Sequence, residues 1–297
     1  MTEPRLVVAG GGAVGAALAG ALLRAGWPLE AVACRTRARA EQRCLAIGGG
    51  QPLDFRALSD PRTPLGDGPA ALVLAVPDPE IERTAAALSG RPWPADSLAL
   101  HVSGAVEVAA LAPLARAGLA CGGFHPLKSF VDLERDIASW AGTVVAVEGA
   151  PAAVDLAGRL AGRLRARPFT LAPGARAAWH AGASHACNHL VALTDQALDL
   201  MQRAGLARDA ARAALLPLLA GTLDNLRAHA PAHALTGPVA RGDVPVVRRH
   251  LQALAEAPPD VAAAYRALAR RALALAVEGR ALPPGAADAI RAALDAP

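Results

Sequence analysis

Near its start the chain runs from a short apolar segment, Leu6-Val7-Val8-Ala9, through Gly10-Gly11-Gly12-Ala13-Val14-Gly15 into the helical composition of Ala16 to Ala25. Few local patterns restrict a fold as much as this one. Gly10 permits a tight turn, Gly12 lets the backbone approach a ligand, and Gly15 allows a helix to lie close against a strand. The amide groups and dipole of the following helix favour an anion at the same point. The segment therefore predicts the opening unit of a doubly wound sheet, with the pyrophosphate of a dinucleotide held by Gly10, Gly12, Ala13, Val14 and Gly15.

The next apolar runs continue that pattern. Candidate strands are 6–9, 29–34, 71–76, 97–102, 119–124, 143–147 and 169–171, alternating with helix-like segments in the manner of βαβ units. After Pro173 the alternation stops, and 175–204, 207–230, 245–255, 259–278 and 285–293 read as helices punctuated by proline, glycine and polar turns. The expected fold is an α/β Rossmann domain with a mostly parallel sheet over 1–172, followed by an all-α domain over 173–297 that holds substrate and dimerises. No apolar run approaches the roughly 18 residues of a membrane span. No signal peptide is read at Met1 to Pro4, so a cytoplasmic, soluble protein without membrane partners is expected. The basic residues are one lysine, Lys128, and otherwise arginines dispersed among acids, with 3% aromatic residues. That distribution argues against a nucleic-acid partner. Cys34, Cys44, Cys121 and Cys187 show neither paired nor metal-like spacing and are read as buried thiols, with no metal site.

The second strand ends in Cys34 and is followed by Arg35-Thr36-Arg37, where an NAD-binding protein would carry an acidic residue for the ribose 2′-hydroxyl. Two guanidinium groups and a hydroxyl suit a 2′-phosphate, so NADP(H) is the expected cofactor. Val76-Pro77-Asp78 closes a later strand on the same side, although Asp78 serves equally well as a helix cap. Ligands in such sheets bind beyond the carboxyl ends of the strands, which directs attention to two further loops. One carries Ser103, a ligand contact or a cap; the other packs His125, Lys128 and Ser129 together. On the long helix, His180, Ser184 and Asn188 recur every four residues and share a face. A polar loop with Thr236 and Arg241 could close over a pocket, also across a dimer interface.

The segments Gly10 to Gly15, His101 to Ala105, Phe124 to Phe130, Trp179 to Asn188 and Leu235 to Asp243 resemble, in their joint order, the family that joins a Rossmann-like domain to the domain of unknown function numbered 2520. That family is similar to pyrroline-carboxylate reductases, β-hydroxyacid dehydrogenases and ketopantoate reductases. The resemblance implies NADPH-dependent reduction of a small 2-oxo acid or related carbonyl, ketopantoate among them, by a homodimer. In ketopantoate reductases a Lys-Asn-Asn set at four-residue spacing falls on His180, Ser184 and Asn188, so the lysine is missing here. The implied roles are His180, or alternatively Lys128, as proton donor, Ser184 and Asn188 as orienting groups, and Lys128 and Ser129 as receivers of a carboxylate. Alternatives are an imine reductase of pyrroline-carboxylate type and an NADPH-sensing protein without turnover.

Overall fold

The computed structural model describes residues 3–279 and 282–296, which form two compact units, 1–187 and 188–297. In the first unit, eight strands form one sheet: β1 (Arg5–Ala9), β2 (Leu29–Cys34), β3 (Gln51–Asp54), β4 (Ala70–Leu74), β5 (Leu98–His101), β6 (Ala120–Pro126), β7 (Val144–Gly149) and β8 (Arg167–Thr170). Their order is β3-β2-β1-β4-β5-β6-β7-β8, parallel throughout except for the antiparallel β6–β7 pair. The intervening helices are α1 (Ala13–Arg24), α2 (Arg37–Ile47), α3 (Phe55–Ser59), α4 (Ile81–Ser89), α5 (Ala112–Arg116), α6 (Leu133–Ala138) and α7 (Pro151–Arg163).

Both faces of the sheet are covered, which is why its inner strands read as unbroken apolar runs rather than alternating ones. Leu6, Val8, Val32, Val73 and Leu100 pack on one side with Leu18, Leu22 and Leu160. Val7, Ala9, Leu53, Leu72 and Leu74 pack on the other with Leu58, Ile81 and Leu88. The expected strand 29–34 has the observed limits, and the others differ by one or two residues at an end. β3 is absent from the expected set because Gln51-Pro52-Leu53-Asp54 has a single apolar residue buried in the core. It is an edge strand, as is β8, whose four residues are all exposed. Each edge carries a proline, Pro52 or Pro168, which blunts it against further pairing.

Helix α8 (Arg176–Arg203) spans the limit between the units. The boundary expected at 172/173 lies at the turn before it, whereas the first unit extends to Cys187. The second unit continues with α9 (Arg208–Ala228), α10 (Pro231–Ala234), α11 (Pro238–Arg241), α12 (Val244–Leu254), α13 (Pro259–Gly279) and α14 (Ala286–Asp295). Val247, Leu273, Ile290 and Leu294 centre one cluster there, and Leu198, Ala211 and Leu215 a smaller one. Among the described residues no helix is long and apolar enough to cross a membrane. Cys34, Cys44 and Cys121 are buried free thiols, but Cys187 is exposed on α8, correcting the expectation for that position.

Candidate active site

The turn between β1 and α1 is built as its glycines require. Gly10 has φ +125°, and a Cβ there would collide with the carbonyl oxygen of Ala75; a Cβ on Gly15 would strike the Gly10 carbonyl. Gly12 caps α1 from an extended conformation, and nothing lies within 4 Å of where its Cβ would be. The loop thus presses against β4 on one side and opens on the other, leaving the first amides of α1 toward free space. That space is a cleft of about 690 Å³, at the carboxyl ends of β1, β2 and β4. Of the residues read as cofactor-binding, Gly10, Gly12, Arg35, Val76 and Pro77 line it, whereas Ala13, Val14, Gly15 and Asp78 are not among its lining residues.

Arginine usage in the cleft differs from the expected pair. Arg37 turns to Glu41, four residues on along α2, with Nε donating at 3.0 Å, and is not among the lining residues. Thr36 caps the same helix by accepting from the Arg39 amide at 3.3 Å. The second guanidinium in the cleft is that of Arg39, and Arg83 enters from α4, where it pairs with Glu80. No acid stands at the end of β2, Arg35 and Arg39 line the cleft, and the residues present suit a dinucleotide.

The loops after β5 and β6 meet the first turns of α8. His125, near the end of β6, accepts at Nδ1 from the Trp179 indole Nε1 at 3.1 Å. The Trp179 ring is itself stacked on Phe169, 5.5 Å between centroids and 10° apart. His180 lies edge-on to His125, with centroids 5.9 Å apart. Gly104 fits under both rings: a Cβ there would come within 2.5 Å of His180 Cδ2 and 2.6 Å of His125 Nε2. Burial foremost, then the Arg176 guanidinium and His180, push the His125 imidazole down to about 4, against an opposing pull from Asp78. His125 is therefore neutral near pH 7.

Beneath these loops lies an ion pair that the sequence reading missed. Arg176, fully buried, donates from Nε to Glu148 Oε1 at 2.6 Å and from Nη1 to the Ser103 carbonyl. His101, also fully buried, has no partner at either ring nitrogen among the described residues. Its imidazole is lowered to about 3 by burial, with Arg176 and His125 adding to the effect.

The remaining expected residues divide by place. Ser103 is buried, its Oγ accepting from the amides of Ala105 and Val106 at 3.1 and 3.0 Å, so it shapes its own loop. Lys128 was expected as a catalytic group and carboxylate receiver, but its ammonium is tied to Asp136 at 2.8 Å and Ser139 at 3.1 Å, and lies 5.0 Å above the Phe130 ring. Burial acts to raise the Asp136 carboxyl, but hydrogen bonds from Lys128 and the amides of Val131 and Asp132 outweigh it and hold the group below the ordinary carboxylate range. Lys128 thus organises the segment after β6. Ser129 is exposed, Ser184 is half-buried, and Asn188 is exposed at the start of the second unit. Within that unit Thr236 lines a separate cavity of about 380 Å³ with the His250–Tyr265 pair, and Arg241 is exposed at the end of α11. Among the described residues no group of three or more His, Cys, Asp or Glu side chains is placed to hold a metal.

A Rossmann-like domain model matches residues 1–126, and the model of DUF2520, a domain of unknown function, matches 143–272. No curated protein sequence matches the chain. Solved structures do match in fold. A candidate NADP oxidoreductase from Bacteroides fragilis is 21% identical with a TM-score of 0.72, covering 92% of this chain and 98% of that one. A Streptomyces aurantiacus imine reductase is 20% identical at TM-score 0.57, over 98% and 100%. A pyrroline-5-carboxylate reductase from Coxiella burnetii is 12% identical at TM-score 0.57, over the whole of both chains. Matched along both halves, the chain is one of the proteins that join a Rossmann-like domain to a DUF2520 domain.

Proposed function

We propose that this protein is an NADPH-dependent oxidoreductase that reduces a small 2-oxo acid or related carbonyl, with ketopantoate the first compound to try. The observation that carries the reading is the glycine cradle opening into a cleft that holds Arg35 and Arg39 and lacks an acid at the end of β2. The fold-level likeness to oxidoreductases agrees with it. When bound, the reduced nicotinamide supplies hydride; the chain's part is to position, protonate and exclude water. Gly10 to Gly15 would hold the diphosphate, with Arg35 and Arg39 around the 2′-phosphate and Val76 and Pro77 along the cleft wall. As hydride reaches the carbonyl carbon, the former π pair moves to oxygen and takes a proton, for which His180 is the donor within the pair of rings beneath the loops.

The second reading, reduction of an imine, is favoured by the fold shared with the imine reductase and uses the same cradle. The protein acts as a homodimer in this reading. Large apolar side chains on the second unit, including Val191, Leu218 and Leu226, are 46–71% exposed and would be covered by a second copy.

Calorimetry with NADPH and NADH, light scattering on the same preparation, and a screen of NADPH oxidation with ketopantoate, other 2-oxo acids and cyclic imines test the proposal. NADPH should bind at least about tenfold more tightly than NADH, because charge-assisted bonds to one extra phosphate contribute about 1.5–3 kcal/mol. His180→Ala should lower kcat about 10²-fold with NADPH affinity unchanged. Failure to bind either nucleotide overturns the enzymatic reading.

A further inference from the structure

The Trp179–His125 contact determines more than orientation. An indole N–H donates and has no lone pair to accept with, so the nitrogen that it meets, His125 Nδ1, must be unprotonated. In a neutral imidazole the proton is then on Nε2. The stack on Phe169 keeps the indole from turning away. His125 Nε2 has no protein partner among the described residues and is not sealed from solvent. It lies beside the Gly104 backbone, where any larger residue would fill the space in front of it.

We propose that Trp179 is a positioning residue that locks His125 as a neutral Nε2–H donor, and that this donor bonds the heteroatom of the substrate's C=O group. The proposal rests on the reductase reading above and narrows its substrate class. The groups around the ring are the Arg176 guanidinium, His180 and His101, with the Asp78 carboxylate opposing them. Burial first, then the Arg176 guanidinium and the neighbouring His180 ring, keep a second proton off His125, so it presents a donor rather than an acid. A neutral imidazole N–H is too weak an acid to surrender its proton; it stabilises negative charge as that charge develops on oxygen. The hydride adds to carbon, the oxygen carries the displaced pair, and the proton that completes the alcohol comes through His180, the donor named above. An iminium nitrogen, already protonated, has no lone pair for the Nε2–H and gains nothing from a site on which the Arg176 guanidinium acts. The arrangement accordingly favours carbonyls over protonated imines.

Nitrogen-15 NMR on the full-length, histidine-labelled protein tests the lock without turnover, with His125→Gln identifying the resonances. The expected result is one ring with unprotonated Nδ1 and protonated Nε2, unchanged from pH 8 to pH 5. Titration of His125 in that range, or a proton on Nδ1, overturns the proposal even if the enzyme is active. Trp179→Phe should release the ring into a mixture of tautomers and lower kcat about tenfold at unchanged NADPH affinity. His125→Gln, which can still place an N–H near the Nε2 position, should retain within about tenfold of kcat, whereas His125→Ala should lose about 10²-fold. Equal turnover of His125→Ala and the parent, or better turnover of cyclic iminium ions than of 2-oxo acids, overturns the proposal and leaves the cofactor reading standing. Loss of nucleotide binding in the parent protein defeats the reductase reading instead, while the tautomer remains measurable.

Discussion

Gly12 and Gly10 sit two residues apart and tolerate change very differently. A methyl group on Gly10 would meet the Ala75 carbonyl, whereas one on Gly12 would enter open space in front of α1. Gly12→Ala should therefore fold with a melting temperature close to that of the parent and lose dinucleotide affinity at least about tenfold, since the methyl stands where the diphosphate approaches. Thermal unfolding and calorimetry on the variant check both halves, and undiminished affinity would place the ligand elsewhere. The glycines were legible because their turn is a local device with a known mechanism, and Arg35, Val76 and Pro77 because they follow strands whose carboxyl ends border the crevice of such a sheet. Arg39 was not, since its entry into the cleft depends on how the first turn of α2 is rotated. Arg37 was misread for a reason the sequence did contain: Glu41 is four residues downstream, the spacing of a helical ion pair. Lys128 drew attention by its rarity, yet its partner Asp136 is eight residues away across a turn that only the folded chain defines.

At the scale of elements, β7 and α8 are joined by Glu148 and Arg176, which also ties the loop after β5 through the Ser103 carbonyl. Removing one member of a buried pair leaves the other charged and unpaired, which costs about 3–5 kcal/mol. Arg176→Met should lower stability by that order in urea unfolding, and adding Glu148→Met should restore part of the loss. A double variant no more stable than the single one would mean that the carboxylate is not what the arginine neutralises. The elements were read well where burial is two-sided: β2 has its expected limits, and α8 was placed within a residue at each end. β3 escaped because an edge strand needs little apolar surface. The ion pair escaped because Glu148 and Arg176 are 28 residues apart, and only the pairing of β6 with β7 brings the first of them beneath the loops.

The molecule as a whole should be sensitive to acid. His101 and His125 have folded-state values of about 3 and about 4, below the unfolded value near 6.5. Between those limits the unfolded chain binds more protons than the folded one, so stability is complete above about pH 6.5 and falls as pH drops toward 4. The slope is about 1.4 kcal/mol per pH unit for each fully neutral ring. Urea midpoints at pH 7.5 and pH 5 should differ accordingly, and His101→Leu should flatten the dependence. A pH-independent midpoint would show that the rings take up protons in the native state as readily as in the unfolded chain.

One helix serves two bodies, and that bears on how the protein can be divided. A fragment ended at residue 172, where the alternating pattern stops, would leave Glu148 without its cation and would strip the indole from His125. A fragment carried through Cys187 keeps both. The opening turns of α8 are thus part of the sheet domain's own fabric, and any attempt to excise that domain as an autonomous piece must take them along.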